Sequence, residues 1–403
     1  MTPAAIDLGN YDFAVPPLVR FGQGRISEVG EVAALYGRAA WLVTGGRSFA
    51  ASGAEEVVAE SLRRAEVCSR QVAIARGEPT VDDVVAALTA LPKERQGVVV
   101  VAIGGGATID LAKAVAALAT NLSAEELCGD LDAAVVDRLE GLGRSLPITQ
   151  WPLPVVAAPT TAGTGAEATR NAVISCPRRR FKKSMRSPMM VPRAAIIDPE
   201  LTRSCSRETT VASGLDAITQ LIESFICRFA KPLPRALVLD SLPRAVAALP
   251  RVLADPLDEG PRAALSHAAF VSGIALANSG LGMAHGVAAA LGIECGTPHG
   301  LACAVLLPVA LRVNLADAFR DYAALERAID PSSTRSDRYS AEAFVARIEQ
   351  LCGEAGVTQR LSALGLAADR ITWLAENSRG ASMRGNPREL DAETLREILT
   401  AAL

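Results

Sequence analysis

Histidine occurs only three times in this chain of 403 residues, tryptophan three times and tyrosine four. So few aromatic rings disfavour a large flat pocket, and a small aliphatic ligand is expected instead. The eight cysteines (68, 128, 176, 205, 227, 295, 303 and 352) include no Cys-x-x-Cys pair, a pattern that suits reduced thiols in the cytoplasm better than a disulfide frame or a zinc knuckle. A formal charge of -3 creates no field for polyanions, so neither nucleic acid nor an anionic membrane is expected as a partner. No basic segment leads into an apolar run at the N-terminus, and no window reaches the ~18 uninterrupted apolar residues of a membrane span.

What is present is a change of texture along the chain. "AAWLVTG" (39–45), "CSRQVAI" and "GVVVVAI" (97–103) read as strands, separated by the helical patterns "GAEEVVAESLRRA" and "VDDVVAALTAL". "PLPVVAAPTT" and "AAIIDPEL" add strands on either side of a basic segment, "CPRRRFKKSMRSPMMVPR". Strand and helix in alternation predict a parallel sheet covered by helices. After Asp198-Pro199 helical patterns dominate to the end. We therefore expect an α/β domain over residues 1–198 and an all-helical domain over 199–403, with a ligand cleft between them.

The strand "VVVVAI" runs into Gly104, Gly105 and Gly106 and then a helix. Three residues without side chains at a helix N-terminus make a cradle for pyrophosphate, although the spacing is not that of the G-x-G-x-x-G fingerprint and an ordinary turn needs one glycine. Asp110 and Lys113 follow in the first turns, either as ligand contacts or as solvated charges. A second polar loop, "PTTAGTGAEATR" (159–170), offers the hydroxyls of Thr160, Thr161 and Thr164 after a strand.

In the helical half, "SGLDAITQLIESF" places Asp216 and Gln220 one turn apart on one helix face. His285 and His299 lie beside glycine and proline punctuation in the same half. One carboxylate and two imidazoles form a workable set for a divalent first-row ion such as Fe(II) or Zn(II). His267, inside an apolar helix, reads as structural.

Together "VRFGQG", "GGGATIDLAK", "PTTAGTGAE", "DPELT", "GLDAITQLIES", "ALANSGLGMAHGVAAALG", "TPHG" and "RGNP" resemble the iron-containing (group III) alcohol dehydrogenases, in family order over nearly the whole chain. The resemblance implies a Rossmann-like dinucleotide-binding domain, a helical metal-binding domain of dehydroquinate synthase-like architecture, and NAD(P)-dependent interconversion of an alcohol and its aldehyde or ketone. It implies that the glycine triplet holds the pyrophosphate, that the "TTAGTG" loop lines the cofactor site, and that Lys182, with Lys183 as its rival, approaches the nicotinamide ribose. It also implies Asp216, His285 and His299 as catalytic metal ligands, with Gln220 where the family has a fourth ligand, a histidine. Ala289 stands where the family has a further histidine.

Where the family often carries a ribose-binding Asp, the chain has Gly45, followed by Arg47 and Ser48. Loss of that carboxylate removes the repulsion of a 2'-phosphate, so NADP is expected beside NAD. The basic run from Arg178 to Arg193 reads as a solvated hairpin rather than a subsite for an anionic aldehyde. A homodimer is the expected assembly by family analogy. Three alternatives stay open: a metal-independent reductase of the maleylacetate reductase type, a lyase of the dehydroquinate synthase type, and a non-catalytic NAD(P)-binding member.

Overall fold

The protein was analysed as a computed structural model that describes residues 10–92, 94–358 and 360–403, and of Ser48 the backbone alone. Six parallel strands form one sheet: β1 (Leu18–Phe21), β2 (Ala39–Gly45), β3 (Cys68–Ala75), β4 (Val98–Gly104), β5 (Val155–Pro159) and β8 (Ala194–Ile197). Their order is β1-β8-β5-β4-β2-β3. All seven residues of β4 are buried, as its unbroken apolar run requires of a strand covered on both faces. The edge strand β1 has no counterpart in the periodicity reading, because four residues alternating between half-buried and exposed are too few to set a period.

The chain leaves β2 toward β3 and returns to place β4 on the other side of β2, so the switch in winding falls between β2 and β4. In open α/β sheets the crevice beyond the carboxyl ends of such a strand pair receives ligands. Here those ends are Gly45 and Gly104.

The basic segment forms the expected hairpin. It pairs β6 (Asn171–Cys176) with β7 (Phe181–Arg186) in an antiparallel hairpin, with Lys182 opposite Ser175 and Lys183 opposite Ile174. Side chains alternate across this pleat, and the two lysines therefore face opposite ways.

From Arg207 the fold is helical. The helix Arg207–Ile226 is buried along most of its length and packs against Pro232–Ala254, Glu259–Asn278 and His299–Ile329. The last of these is the one helix among the described residues long and apolar enough to cross a membrane, but its apolar residues are used inside this bundle. Close approaches join the two halves. A Cβ on Gly165 would lie 2.5 Å from the backbone of Gly273, and one on Gly163 would lie 2.7 Å from Cβ of Ser213. These two glycines of the "TTAGTG" loop therefore let helices approach, a role the loop's composition does not reveal.

Candidate active site

Two hollows meet at the glycine bend. The first, of about 790 Å³, is lined by Gly45, Gly46 and Arg47 after β2, Arg76 and Gly77 after β3, and Gly105, Thr108 and Thr161. No side chain caps the helix Gly106–Asn121, so its N-terminus is left to an outside acceptor. Gly104 and Gly106 are required by their own neighbours: an added Cβ would fall 2.3 Å from Oγ1 of Thr108 or 2.4 Å from Oγ1 of Thr164. Gly105 alone has ordinary room, with Thr161 at 3.4 Å. Thr160 lines neither hollow; it is buried, and its backbone N–H donates to Gly104. The expected contact of Ser48 lies outside what the structure describes.

The second hollow, about 230 Å³, runs between the two halves of the chain. Gly106, Asp110, Thr164 and Lys182 line it from the α/β half, and Gln220, His285, Ala289 and His299 from the helical half. Ser184 and Arg186 also face it, which corrects the expectation of a fully solvated hairpin. Lys183, Arg178, Arg179 and Arg180 remain exposed. Lys182 is held by Glu78 at 2.5 Å.

Asp110 and Lys113 are not solvated. Lys113 is buried and donates to Thr169 Oγ1 at 2.7 Å and to the carbonyl of Ala166 at 2.9 Å, and it lies 3.2 Å from Asp110. Asp110 accepts in turn from the backbone N–H of Val173 and keeps a face on the cavity. Lys113 thus ties the polar loop to the helix of the glycine bend.

On the helical side Asp216 Oδ1 lies 3.2 Å from Nε2 of His285. Both atoms are buried, and neither has a hydrogen-bond partner. The other imidazole nitrogen, Nδ1, donates to Glu223 Oε2 at 2.7 Å. Glu223 also accepts from the backbone N–H groups of Gly282 and Ala284, so one carboxylate caps the helix Met283–Cys295 and fixes the His285 ring. Glu223 escaped the sequence reading, although it lies seven residues after Asp216 on the same face of that helix. Asn386 of "RGNP" supports the same turn by accepting from Met283 N–H.

His299 opens the helix His299–Ile329, whose next residue, Gly300, packs against the Ala212 carbonyl. That contact brings His299 to within 5.5 Å of the His285 ring. Cys303, one turn on, is buried beside it, with Sγ 3.7 Å from Nε2 of His299. Gln220 donates from Nε2 to Asp216 Oδ2 at 3.3 Å, and its Oε1 accepts from Ser272 at 2.9 Å.

Burial alone would raise the Asp216 carboxyl, but the His285 ring beside it and the charges of both imidazoles hold it below its ordinary value. Burial would likewise lower His285; Cys303, Asp216 and Glu223 more than offset this and raise it well above the usual range. His299 is pushed down to about 4 by burial and by Lys182, which leaves a neutral imidazole with a free lone pair. His267 takes no part: it packs edge-on against Phe21 away from the cavity.

Residues 16–199 match the family model for iron-containing alcohol dehydrogenase, and residues 210–403 match that for the Fe-containing alcohol dehydrogenase family, C-terminal. The chain belongs to the iron-containing alcohol dehydrogenase family. This member is 31% identical to 1,3-propanediol dehydrogenase of Klebsiella pneumoniae, over 97% of its own length and 98% of the relative's. It is 33% identical to lactaldehyde reductase of Escherichia coli (strain K12), over 75% of its length and 76% of the relative's. Among solved structures it superposes on a 1,3-propanediol oxidoreductase with a TM-score of 0.88, covering 98% of this chain and all of that one at 28% identity. The chain is accordingly an NAD-dependent oxidoreductase of the alcohol–carbonyl class, and its Asp216, His285, His299 and Cys303 form a cluster that can hold a metal ion.

Proposed function

We propose that this family member interconverts a small aliphatic alcohol and its aldehyde or ketone in the cavity between its two halves, and that it accepts NADP as well as NAD. The observation that carries the reading is the convergence of Asp216, His285 and His299 in one cluster, with both imidazoles lining a cavity that Gly106 of the bend also lines. Buried atoms without partners, Asp216 Oδ1 and His285 Nε2, are what a bound cation would satisfy. When bound, the nicotinamide exchanges hydride with the substrate carbon and the metal polarises the substrate oxygen.

The chain's own residues supply the rest. Asp216, His285 and His299 would hold the ion, with Glu223 fixing the His285 ring. Gln220, at the place of a family histidine ligand, is engaged by Asp216 and Ser272; we assign it the task of orienting the carboxylate. Lys182, already paired with Glu78, is oriented for the nicotinamide ribose. Leu276, Leu281 and Ala289 give the helical side of the cavity its apolar lining. A cavity of about 230 Å³ that must also take the nicotinamide favours a short substrate. Acceptance of NADP is supported by two guanidinium groups, Arg47 and Arg76, at the hollow where β2 and β3 end and where, among the described residues, no carboxylate lines the wall.

The reading is supported further by named relatives. An NAD-dependent methanol dehydrogenase of Bacillus methanolicus is 27% identical over 97% of this chain. A cytoplasmic location and a homodimer complete the proposal, the first in keeping with eight free thiols.

The test is oxidation of NADH and NADPH with a panel of short aldehydes, before and after chelation. We expect activity that is lost with the chelator and restored by Zn(II) or Fe(II). Activity indifferent to the chelator would instead favour a metal-independent reductase. Replacing Arg47 and Arg76 together by Ala should raise KM for NADPH about tenfold to a hundredfold, the loss of one charge-assisted hydrogen bond, with KM for NADH little changed.

A further inference from the structure

A thiol completes the cluster of donor atoms. Asp216, His285, His299 and Cys303 each present one donor atom, and these atoms all lie within 4.8 Å of one another. Cys303 reaches this point because it follows His299 by one helical turn, the same spacing that pairs Asp216 with Gln220 on the neighbouring helix. One observation marks the point as a ligand site, and a second removes the expected ligand from it. Asp216 Oδ1 and His285 Nε2 are buried, unpartnered and only 3.2 Å apart. Gln220, the residue at the expected ligand place, turns its amide nitrogen to Asp216 and its oxygen to Ser272, and an amide nitrogen has no lone pair to donate.

We propose that Cys303 is the fourth protein ligand of this chain's metal, giving a set of one carboxylate oxygen, two imidazole nitrogens and one thiolate sulfur. The inference rests on the reading that the cluster binds a metal. A tetrahedral ion with bonds of ~2.0 to 2.3 Å sets its donors ~3.3 to 3.7 Å apart, so small torsional movements close the cluster around it. The Sγ to His299 Nε2 separation of 3.7 Å already meets that spacing. On ligation the S–H bond breaks, the electron pair stays on sulfur as the donor pair, and the proton passes to solvent. A thiolate shifts the preference of the site toward a borderline-soft divalent ion such as Zn(II) and away from harder ions.

Cobalt(II) is the probe. The full-length protein is stripped of metal, given one equivalent of Co(II), and its absorption recorded; zinc-loaded protein is measured in parallel by X-ray absorption. We expect visible d–d bands together with a near-ultraviolet sulfur-to-cobalt band that saturates at one equivalent. The zinc protein should show one sulfur neighbour at ~2.3 Å. In Cys303→Ser the sulfur band should vanish while the d–d bands persist, and in Gln220→Ala both should remain. Wild-type protein with d–d bands but no sulfur band or sulfur neighbour overturns the proposal and leaves the metal reading standing. No d–d bands at all would remove both. The wild-type measurement decides even if the Cys303 variant does not fold.

Discussion

Glu223 Oε2 lies 2.7 Å from Nδ1 of His285, although the two residues are 62 positions apart in the chain. The contact couples helix capping to ring orientation, because the same carboxylate accepts from the first N–H groups of the helix that carries His285. A change at Glu223 should therefore be felt at the metal. For Glu223→Gln we expect metal retention to fall ~10- to 100-fold, the usual effect of losing a carboxylate behind a ligating imidazole. Metal per chain after dialysis against graded chelator measures it. Retention equal to wild type would show that the ring is held by packing alone.

Lys113 should be a stability residue rather than a cofactor contact. Its ammonium is enclosed by Asp110, Ala166 and Thr169, and Lys113→Met would leave a nearly buried carboxylate without its counter-charge. We expect a loss of ~3 to 5 kcal/mol in urea unfolding, the cost of breaking a buried pair from one side. Adding Asp110→Asn should recover part of that loss, since the stranded charge is then gone. A neutral single variant would contradict the account.

Gly106→Ala tests the bend. The new Cβ would lie 2.4 Å from Oγ1, 2.7 Å from Cγ2 and 2.9 Å from Cβ of Thr164, so the polar loop must move away from the helix N-terminus. Kd for the nucleotide should rise, and Thr164→Ala added to it should restore binding only in part, because the Cβ contact remains. Fluorescence titration with NADH reads both.

Glu167 should give the stability curve a recognisable slope. Burial raises its carboxyl from 4.5 to about 7. Between those values the folded chain holds a proton that the unfolded chain has released, so stability falls as the pH rises from 4.5 to 7 and the penalty is constant above. Glu167→Gln removes this slope and should stabilise the protein above pH 7 by at most on the order of 3 kcal/mol. Urea midpoints at pH 5 and pH 8, in both proteins, check the sign: the gain must appear at the higher pH.

The sequence by itself determined the parallel sheet, the glycine bend after β4, the helical second half and the shared face of Asp216 and Gln220. All of these follow from periodicity and chain-local geometry, which a linear pattern records. Tertiary structure alone decided the pairing of Glu223 with His285, the entry of Cys303 into the cluster and the use of Gly163 and Gly165 against helices. It also placed Lys182 rather than Lys183 at the cavity, because the register of the β6–β7 hairpin sets which side chain faces it. Each of these depends on surfaces brought together from distant parts of the chain, and the fit of two packed surfaces is a property of neither segment alone.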